Sequence, residues 1–365
     1  MNTRTTIRLA IVLLVMPLGA MAVQKCAAAV PTELTNAQIA MLSGPDRHKI
    51  LVDGARKERK LVFYSQFIVN QVGRPLIVAF MKKYPFIEVD NVRASGVVNL
   101  QKLVNEAQAG KVVADVWQGS IAGTHGRRAG VIEQFTTPAI EVFPKRYRNA
   151  DGWWVPLSIN FGALVYNTEQ VQKNEAPKTY EDLLNPRWKG KMAWTSDPGN
   201  GAPVLISTLR LAWGEKKAMD FLEKLSKQDI TDTGGSVTAL RDTVIAGEHA
   251  IGIETLIHSV AAKKRAKAPL DGNILTPVPG QIIPAALVKN APHPHAAMLF
   301  IDYMLSKEGQ TIIGAVNYTL HPDVVPYDEL KSLVPTPEQA YIADPEKMAD
   351  MLDSSSKIFE KLFRK

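Results

Sequence analysis

Four stretches of the chain combine small hydroxyl or amide residues with glycine or serine just before a segment that is predicted to be helical. They are Ser95-Gly96, Thr195-Ser196, Asn200-Gly201 and Thr233-Gly234-Gly235-Ser236. The start of a helix leaves its first backbone N–H groups unpaired and carries partial positive charge, and glycine lets a ligand approach that backbone closely. Two such stretches facing each other would bind a carboxylate, a phosphonate or a similar anion. The alternative for each stretch is that its hydroxyl only caps its own helix.

Further candidates follow predicted strands, because ligands bind at the carboxyl ends of the strands in open α/β sheets. Glu254 is ambivalent among them, since its carboxylate would attract the ammonium group of a zwitterion but repel a pure anion. The residues predicted to bind a ligand are Ser65, Gln66, Ser95, Gly96, Gly119, Ser120, Thr195, Ser196, Asn200, Gly201, Thr233, Gly235, Ser236 and Glu254.

Three aromatic residues, Tyr64, Trp117 and Trp194, each end a predicted strand on the same side as these loops. A ring at such a place can stack on an organic ligand. A place in the hydrophobic core is an equal alternative for each of them, and Trp153-Trp154 are expected to pack at a boundary between lobes.

The segment that positions these loops is Val155–Tyr166, which is almost uncharged and rich in Leu, Ile, Phe and Val. This pattern is typical of a strand that is buried on both faces. Strand–loop–helix units precede and follow it, which favours mostly parallel sheets. The predicted fold class is therefore α/β, with two lobes that each have a mostly parallel central sheet flanked by helices and that are joined by crossing hinge strands. The other predicted strands are Leu61–Tyr64, Phe86–Val92, Ala114–Trp117, Met192–Trp194, Ala250–Ile253 and the return strand Ile282–Val288.

A chain of 365 residues is longer than a single core usually supports. We expect one lobe to comprise residues 30–158 plus about 285–335 and the other to comprise 159–284. Residues 336–365 are expected to form C-terminal helices that pack on a lobe.

The first 29 residues are typical of a secretory signal peptide. Arg4 and Arg8 precede an apolar run, and small residues allow cleavage after Ala22 or after Ala29. Cys26 is the single cysteine, so no internal disulfide can form, and the residues before it depart from the pattern of a lipid-anchored protein.

The chain is basic, with a formal net charge of +7. Its Lys and Arg residues are scattered, and the densest cluster, Lys263-Lys264-Arg265-Ala266-Lys267, has no interleaved aromatic residue. We interpret this cluster as a solvated helix end rather than a nucleic-acid site. The positive balance favours anionic ligands through long-range steering.

Two parts of the chain resemble a known family. Val165-Tyr166-Asn167-Thr168, Pro177–Leu184 and Pro186–Lys191 resemble the middle signature of the periplasmic solute-binding proteins of ABC importers, and the segment from Pro292 to Gln310 is similar to their C-terminal signature. Within that family the similarity is to the type II subgroup of ferric-iron, thiamine and phosphonate binders. The resemblance implies a type II periplasmic-binding fold, an interlobe solute site, an ABC importer permease in the inner membrane as partner, and a monomer in the periplasm.

Iron is the main alternative that the resemblance raises. Iron binders of the subgroup use two adjacent tyrosines just after the strand that corresponds to Ile251–Ile253, but this chain has Glu254-Thr255 there. Its seven histidines show no i, i+4 pair. We therefore predict no metal and no cofactor, and keep a ferric-iron binding protein without the tyrosine pair as the alternative.

Enzymatic motifs are absent from the sequence: it has no G-x-S-x-G, H-E-x-x-H or G-x-x-x-x-G-K-[ST]. A secreted hydrolase with an unrecognised site is the second alternative. The prediction is a protein without enzymatic activity that captures a small anionic or zwitterionic organic solute for an ABC importer.

Overall fold

The strands of the computed structural model, which describes residues 34–364, join in one hydrogen-bonded sheet. The predicted signal peptide lies outside the described residues. The strands are β1 (Lys60–Ser65), β2 (Glu88–Arg93), β3 (Val116–Gln118), β4 (Ile132–Glu133), β5 (Val155–Asn167), β6 (Met192–Trp194), β7 (Thr231–Asp232), β8 (Ile251–Leu256), β9 (Leu270–Asn273), β10 (Val278–Val288) and β11 (Ala340–Tyr341).

Helices follow most of the strands along the chain. They are α1 (Asn36–Ala40), α2 (Arg47–Glu58), α3 (Arg74–Lys83), α4 (Gly96–Gln108), α5 (Thr124–Arg128), α6 (Ala202–Trp213), α7 (Glu215–Leu225), α8 (Val237–Ile245), α9 (Ile257–Arg265), α10 (Pro294–Leu305), α11 (Lys307–Gly314), α12 (Asp328–Lys331) and α13 (Pro345–Phe363). Short 3₁₀ turns lie at Pro138–Val142, Lys145–Tyr147, Glu181–Leu184, Pro186–Trp188 and Ser226–Gln228, and a π turn lies at Val69–Gly73.

The strand order is β2-β1-β3-β10-β5-β8-β6-β7. At one end β1 pairs in parallel with β2 and β3, and at the other β6 pairs in parallel with β7 and β8. In the middle β10 runs antiparallel to β3 and β5, and β5 runs antiparallel to β8 and β9. The sheet is therefore mixed, with parallel ends and an antiparallel centre. We refer to the part built on β1–β4 as the first lobe and the part built on β6–β9 as the second.

The two long strands β5 and β10 connect these lobes, as predicted. The first half of β5 pairs with β10 through Phe161↔Gly280, and from Gly162 onwards β5 pairs with β8 and β9 of the second lobe. Because both strands are continuous, the chain from Thr35 onwards forms one compact unit. The predicted lobe limits, 158/159 and 284/285, fall inside β5 and β10, and they stay a prediction.

The apolar residues form large buried clusters, and one of these clusters crosses the division between the lobes. One includes Phe63, Phe80 and Phe300 in the first lobe and continues through β5 into α9. A second lies in the second lobe around Trp194 and Leu205. The cluster that spans β5 gives the connection between lobes a solid core, so relative motion has to occur as bending of the crossing strands.

Helix α13 packs along α6 of the second lobe and also reaches α5 of the first. The expectation that residues 336–365 form C-terminal helices that pack on a lobe stays a prediction. The sequence pattern shows that α13 is amphipathic, but it does not show that the helix contacts both lobes.

Candidate functional site

A cleft with a volume of about 580 Å³ opens between the two lobes and the crossing strands. This volume is in the usual range for small-molecule sites. Its polar and charged lining residues are Gln66, Gln71, Gln118, Ser120, Ser158, Asn160, Asn200, Thr238, Arg241, Asp242, His258, Ser259, Lys263 and Asn317.

Within the described part of the chain, the wall of the cleft on the first lobe has no charged side chain, and hydrogen bonds to side-chain amides fix its loops. The loops after β1 and β3 meet there: the N–H of Ser120 donates to Gln66 Oε1 at 2.6 Å, and the N–H of Gln66 donates to Gln118 Oε1 at 3.0 Å. A Cβ at Gly119 would lie 2.5 Å from Gln66 Oε1, so a side chain there would displace the Gln66 amide. The sequence therefore fixes Gln66 and Ser120 against each other at the carboxyl ends of two parallel strands.

The floor of the cleft comes from the crossing strand β5. Ser158 and Asn160 lie two residues apart and therefore on the same face of the strand. The side-chain amide of Asn160 donates to Asn200 Oδ1 at 3.2 Å. Asn200 precedes α6, so this contact joins the floor to the second lobe.

The second-lobe wall carries the charge, and Arg241 on α8 is its centre. The guanidinium donates to Asp242 Oδ1 from Nε at 2.9 Å and from Nη2 at 2.6 Å, and Nη1 donates to Ser259 Oγ at 2.6 Å. Only 11% of the Arg241 side chain is exposed. Lys263 Nζ lies 3.9 Å from the same Asp242 oxygen. Two cations and one carboxylate leave one net positive charge on this wall.

His258 stands beside these cations as a neutral ring. Burial and then the positive charge of Arg241 lower its pKa to about 4. Its Nδ1 is shielded from solvent and has no hydrogen-bond partner. At neutral pH the imidazole can therefore donate and accept one hydrogen bond each, without contributing charge.

Three of the residues predicted to bind a ligand line this cleft: Gln66, Ser120 and Asn200. Gly96 and Gly119 adjoin it, since a Cβ at either position would approach the Gln66 side chain.

Most of the predicted hydroxyl groups instead bind other parts of the protein. The hydroxyl of Ser65 donates to Asn91 Oδ1, that of Thr195 to Gly235 O, and that of Thr233 to Trp194 O. Ser95 and Ser236 cap α4 and α8 by accepting from the N–H groups of Val98 and Ala239. These are the N-cap and loop-closing roles that stood as the alternative.

The loop between β6 and α6 is closed in the same way. The N–H of Ser196 donates to Asp232 Oδ1, and its hydroxyl accepts from Arg364 at 3.4 Å. Gly201 lies so close to Thr195 that a Cβ there would be 2.5 Å from the Thr195 carbonyl oxygen. Gly235 has a φ of +65°, which glycine adopts without strain. Ser196, Gly201 and Gly235 thus shape the loops, and none of them is among the residues that line the cleft.

Glu254 lies inside a strand rather than at its end. The predicted strand Ala250–Ile253 continues to Leu256, and the register shift between Ala163 and Val165 leaves Glu254 as an extra residue with φ +61°. Such a β-bulge re-aims a side chain. Here the carboxyl group is buried against Gly162, with 5% of the residue exposed. Burial raises its pKa well above the usual range, and Glu254 is not among the residues that line the cleft.

The three aromatic residues predicted to stack on a ligand lie in the core. Trp117 and Trp194 are fully buried, and Trp194 packs edge-to-face on the rings of Phe359 and Phe363 in α13. Tyr64 is buried and donates its hydroxyl to Glu106 at 2.6 Å. Their strands end at the cleft edge, but none of the three rings is among the residues that line the cleft.

Several cleft residues were missed by sequence reasoning. Ser158 and Asn160 carried a signal, because they are the polar residues that alternate within an otherwise apolar strand. His258 and Ser259 lie in the first turn of α9, which follows β8 directly, and a predicted strand that ended at Leu256 instead of Ile253 would have pointed to them. Arg241 had no comparable signal, because one arginine on an amphipathic helix is ordinary.

Two further properties bear on function. Between Leu34 and Arg364 no helix has the length and apolarity needed to cross a bilayer. In the same part of the chain no group of three or more His, Cys, Asp or Glu residues is arranged to hold a metal ion.

Comparisons with known proteins agree with the geometry. A family model described as "Bacterial extracellular solute-binding protein" matches residues 121–345. An uncharacterized protein of Haemophilus influenzae is 31% identical over 272 residues, which span 71% of this chain and 76% of that protein.

Two solved structures show the same fold at low sequence identity. Trichodesmium (IdiA) (FutA) in complex with iron and citrate is 21% identical, with a TM-score of 0.70 over 84% of this chain and all of that one. The periplasmic binding protein AfuA from Actinobacillus pleuropneumoniae, with exogenous fructose-6-phosphate bound, is 22% identical, with a TM-score of 0.67 over 84% of this chain and 98% of that one. The two-lobed α/β fold predicted from the sequence is confirmed by these neighbours. Together with the interlobe cleft, the family match shows that this chain belongs to the bacterial extracellular solute-binding proteins.

Proposed function

We propose that this protein captures a small anionic organic solute in the interlobe cleft, in the periplasm, and delivers it to the permease of an ABC importer. One observation carries the proposal: the charges that line the cleft, Arg241, Lys263 and Asp242, all lie on the second lobe, whereas the first lobe offers amides and hydroxyls. A solute with one anionic end and an uncharged polar body matches this arrangement.

The available interactions are sufficient for useful affinity. A hydrogen bond to a charged group contributes roughly 1.5–3 kcal/mol net, and micromolar binding requires about 8 kcal/mol. An anion held by Arg241 and Lys263, with two or three hydrogen bonds from the opposite wall, reaches that value. Binding without turnover is expected, because the site offers positioning groups but no activated nucleophile.

Iron is the second candidate ligand of the same cleft. Among the described residues, those that line the cleft include no tyrosine, so direct ferric binding by a tyrosine pair has no support there. A ferric complex of an organic anion would still present carboxylate groups to Arg241. Ferric citrate therefore belongs among the ligands to be tried, because one protein of the same fold holds iron and citrate.

The experiment is isothermal titration calorimetry of the purified protein with fructose 6-phosphate, 2-aminoethylphosphonate, citrate and ferric citrate. We expect at least one iron-free anion to bind saturably and to raise the melting temperature without being converted. Arg241→Ala should weaken that binding about 10- to 100-fold.

The matched control is Arg187→Ala, which removes an arginine of the second lobe that pairs with Glu175 and lies outside the cleft. It should leave the affinity unchanged. Equal affinity in Arg241→Ala and the native protein would refute the assigned site. Binding of ferric citrate alone, with none of the iron-free anions, would make iron part of the cargo.

A further inference from the structure

Helix α13 is fixed to the second lobe by buried contacts. The rings of Phe359 and Phe363 lie with their centroids 5.7 and 5.2 Å from that of Trp194, and the hydroxyl of Ser207 on α6 donates to Ser355 Oγ at 2.8 Å. Phe359 and Ser355 are almost completely buried. This part of the helix belongs to the core of the second lobe.

The other end of α13 reaches the first lobe through exposed ion pairs. Arg127 on α5 lies 2.8 Å from Glu346, and Arg128 lies 2.7 Å from Glu346 and 2.8 Å from Asp350. The exposed fractions of these side chains range from 34% to 66%. Exposed pairs of this kind contribute little each and weaken in salt.

The space between these two ends is incompletely packed. A cavity of about 70 Å³ lies beneath α13, with Met348 and Leu352 on one side and Ile121 and His125 of the first lobe on the other. The Nδ1 of His125 has no hydrogen-bond partner there. Ser120 lines both this cavity and the solute cleft, so the gap adjoins the binding site.

We propose that α13 is a strap that holds the two lobes at the spacing seen here, and that its first-lobe end detaches when the cleft closes. Any rotation of the first lobe about β5 and β10 moves α5 relative to a helix that is anchored in the second lobe. The ion pairs join the two lobes and break when α5 moves away from α13, whereas the aromatic anchor lies within the second lobe and moves with it. The ion pairs therefore oppose closure, and solute binding has to overcome them.

The inference rests on the proposed cleft function for its effect on affinity, but the spacing of the lobes can be measured without solute. Spin labels at Val97→Cys in the first lobe and Lys216→Cys in the second, in a Cys26→Ser background, report the distance between lobes by pulsed electron resonance. Both sites are exposed, at 71% for Val97 and 89% for the Lys216 side chain.

In the solute-free protein, Arg127→Gln/Arg128→Gln and Glu346→Gln/Asp350→Asn should each broaden the distance distribution and add a shorter, closed population. High salt should do the same to the native protein but not to these variants. The charge swap Arg127→Glu/Arg128→Glu combined with Glu346→Arg/Asp350→Arg should restore the native distribution. Lys49→Gln, which breaks an exposed ion pair within α2, should change nothing.

Where a probe anion binds, loss of the strap pairs should tighten its affinity by about threefold, because less of the binding energy is spent on closure. An unchanged solute-free distribution in both variants would overturn the strap. That result is separate from a failure of the proposed function, which would appear as an absence of binding by every probe while the solute-free distances still respond.

Discussion

At the scale of single residues, Glu254 shows how one extra residue in a strand decides the place of a side chain. The sequence puts an acid near the end of a short apolar strand, where a ligand contact is expected. The bulge opposite Leu164 turns it inward, and Gly162 leaves the space for its carboxyl group. Burial in this position raises the pKa of the carboxyl group well above its usual range.

This burial predicts an unusual pH dependence. In an unfolded chain a glutamate titrates near about 4.3, so between that pH and its raised native pKa the native protein binds one more proton than the unfolded chain. Stability must therefore fall as pH rises through this window. Glu254→Gln removes the effect, and its melting temperature should exceed that of the native protein by a margin that grows from pH 5 to pH 8.

The measurement is thermal unfolding across that range, with Glu248→Gln at an exposed position of the same lobe as control. If the melting temperatures of Glu254→Gln and the native protein change with pH by the same amount, the carboxyl group is not protonated in the folded state.

At the scale of elements, the buried anchor of α13 should make the largest single contribution of the C-terminal region to the free energy of unfolding. Phe359 fills the space between α6 and Trp194. Phe359→Ala should lower the free energy of unfolding by about 3–5 kcal/mol, because it removes a large buried ring and leaves a cavity. Denaturant unfolding measures this loss, and near-ultraviolet circular dichroism should report the loosened packing of Trp194.

Lys361→Ala, on the exposed face of the same helix, is the control and should be nearly neutral. A cost below about 1 kcal/mol for Phe359→Ala would show that α13 is not part of the second-lobe core.

The elements also show what could be predicted from the sequence. Continuous apolar runs identified β5, β6 and the second half of β10, since buried strands have a strong local signature. The mixed centre of the sheet could not be predicted, because antiparallel pairing of β5 with β8 and β10 depends on contacts between residues distant in the chain. For the same reason the sequence placed Trp194 at a strand end but not under α13.

The site was predicted less completely than the fold. Gln66, Ser120 and Asn200 could be proposed because strand ends and helix starts are visible in the sequence; they line the cleft, and their binding of a ligand stays a prediction. Thr195 and Thr233 have the same local signature, yet their hydroxyls donate to the backbone carbonyls of Gly235 and Trp194. Which hydroxyl faces a cleft is decided by tertiary packing, and Arg241 became recognisable only when α8 was placed beside α9.

At the scale of the whole molecule, the charges of the cleft lie on one lobe and the neutral hydrogen-bonding groups on the other. A basic protein with a net charge of +7 attracts anions at long range. The first encounter should therefore take place on the second lobe, and the first lobe should contribute only after closure.

This division predicts different kinetic effects for the two walls. For an anionic probe that binds, Arg241→Ala should lower the association rate constant and reduce its dependence on salt, because it removes the charge that receives the anion. Ser120→Ala should leave association unchanged and raise the dissociation rate constant about fivefold, as expected for one lost hydrogen bond. Stopped-flow fluorescence at several salt concentrations separates the two rate constants. If Ser120→Ala slows association as much as Arg241→Ala does, both lobes engage the solute at once, and the sequence of docking followed by closure is wrong.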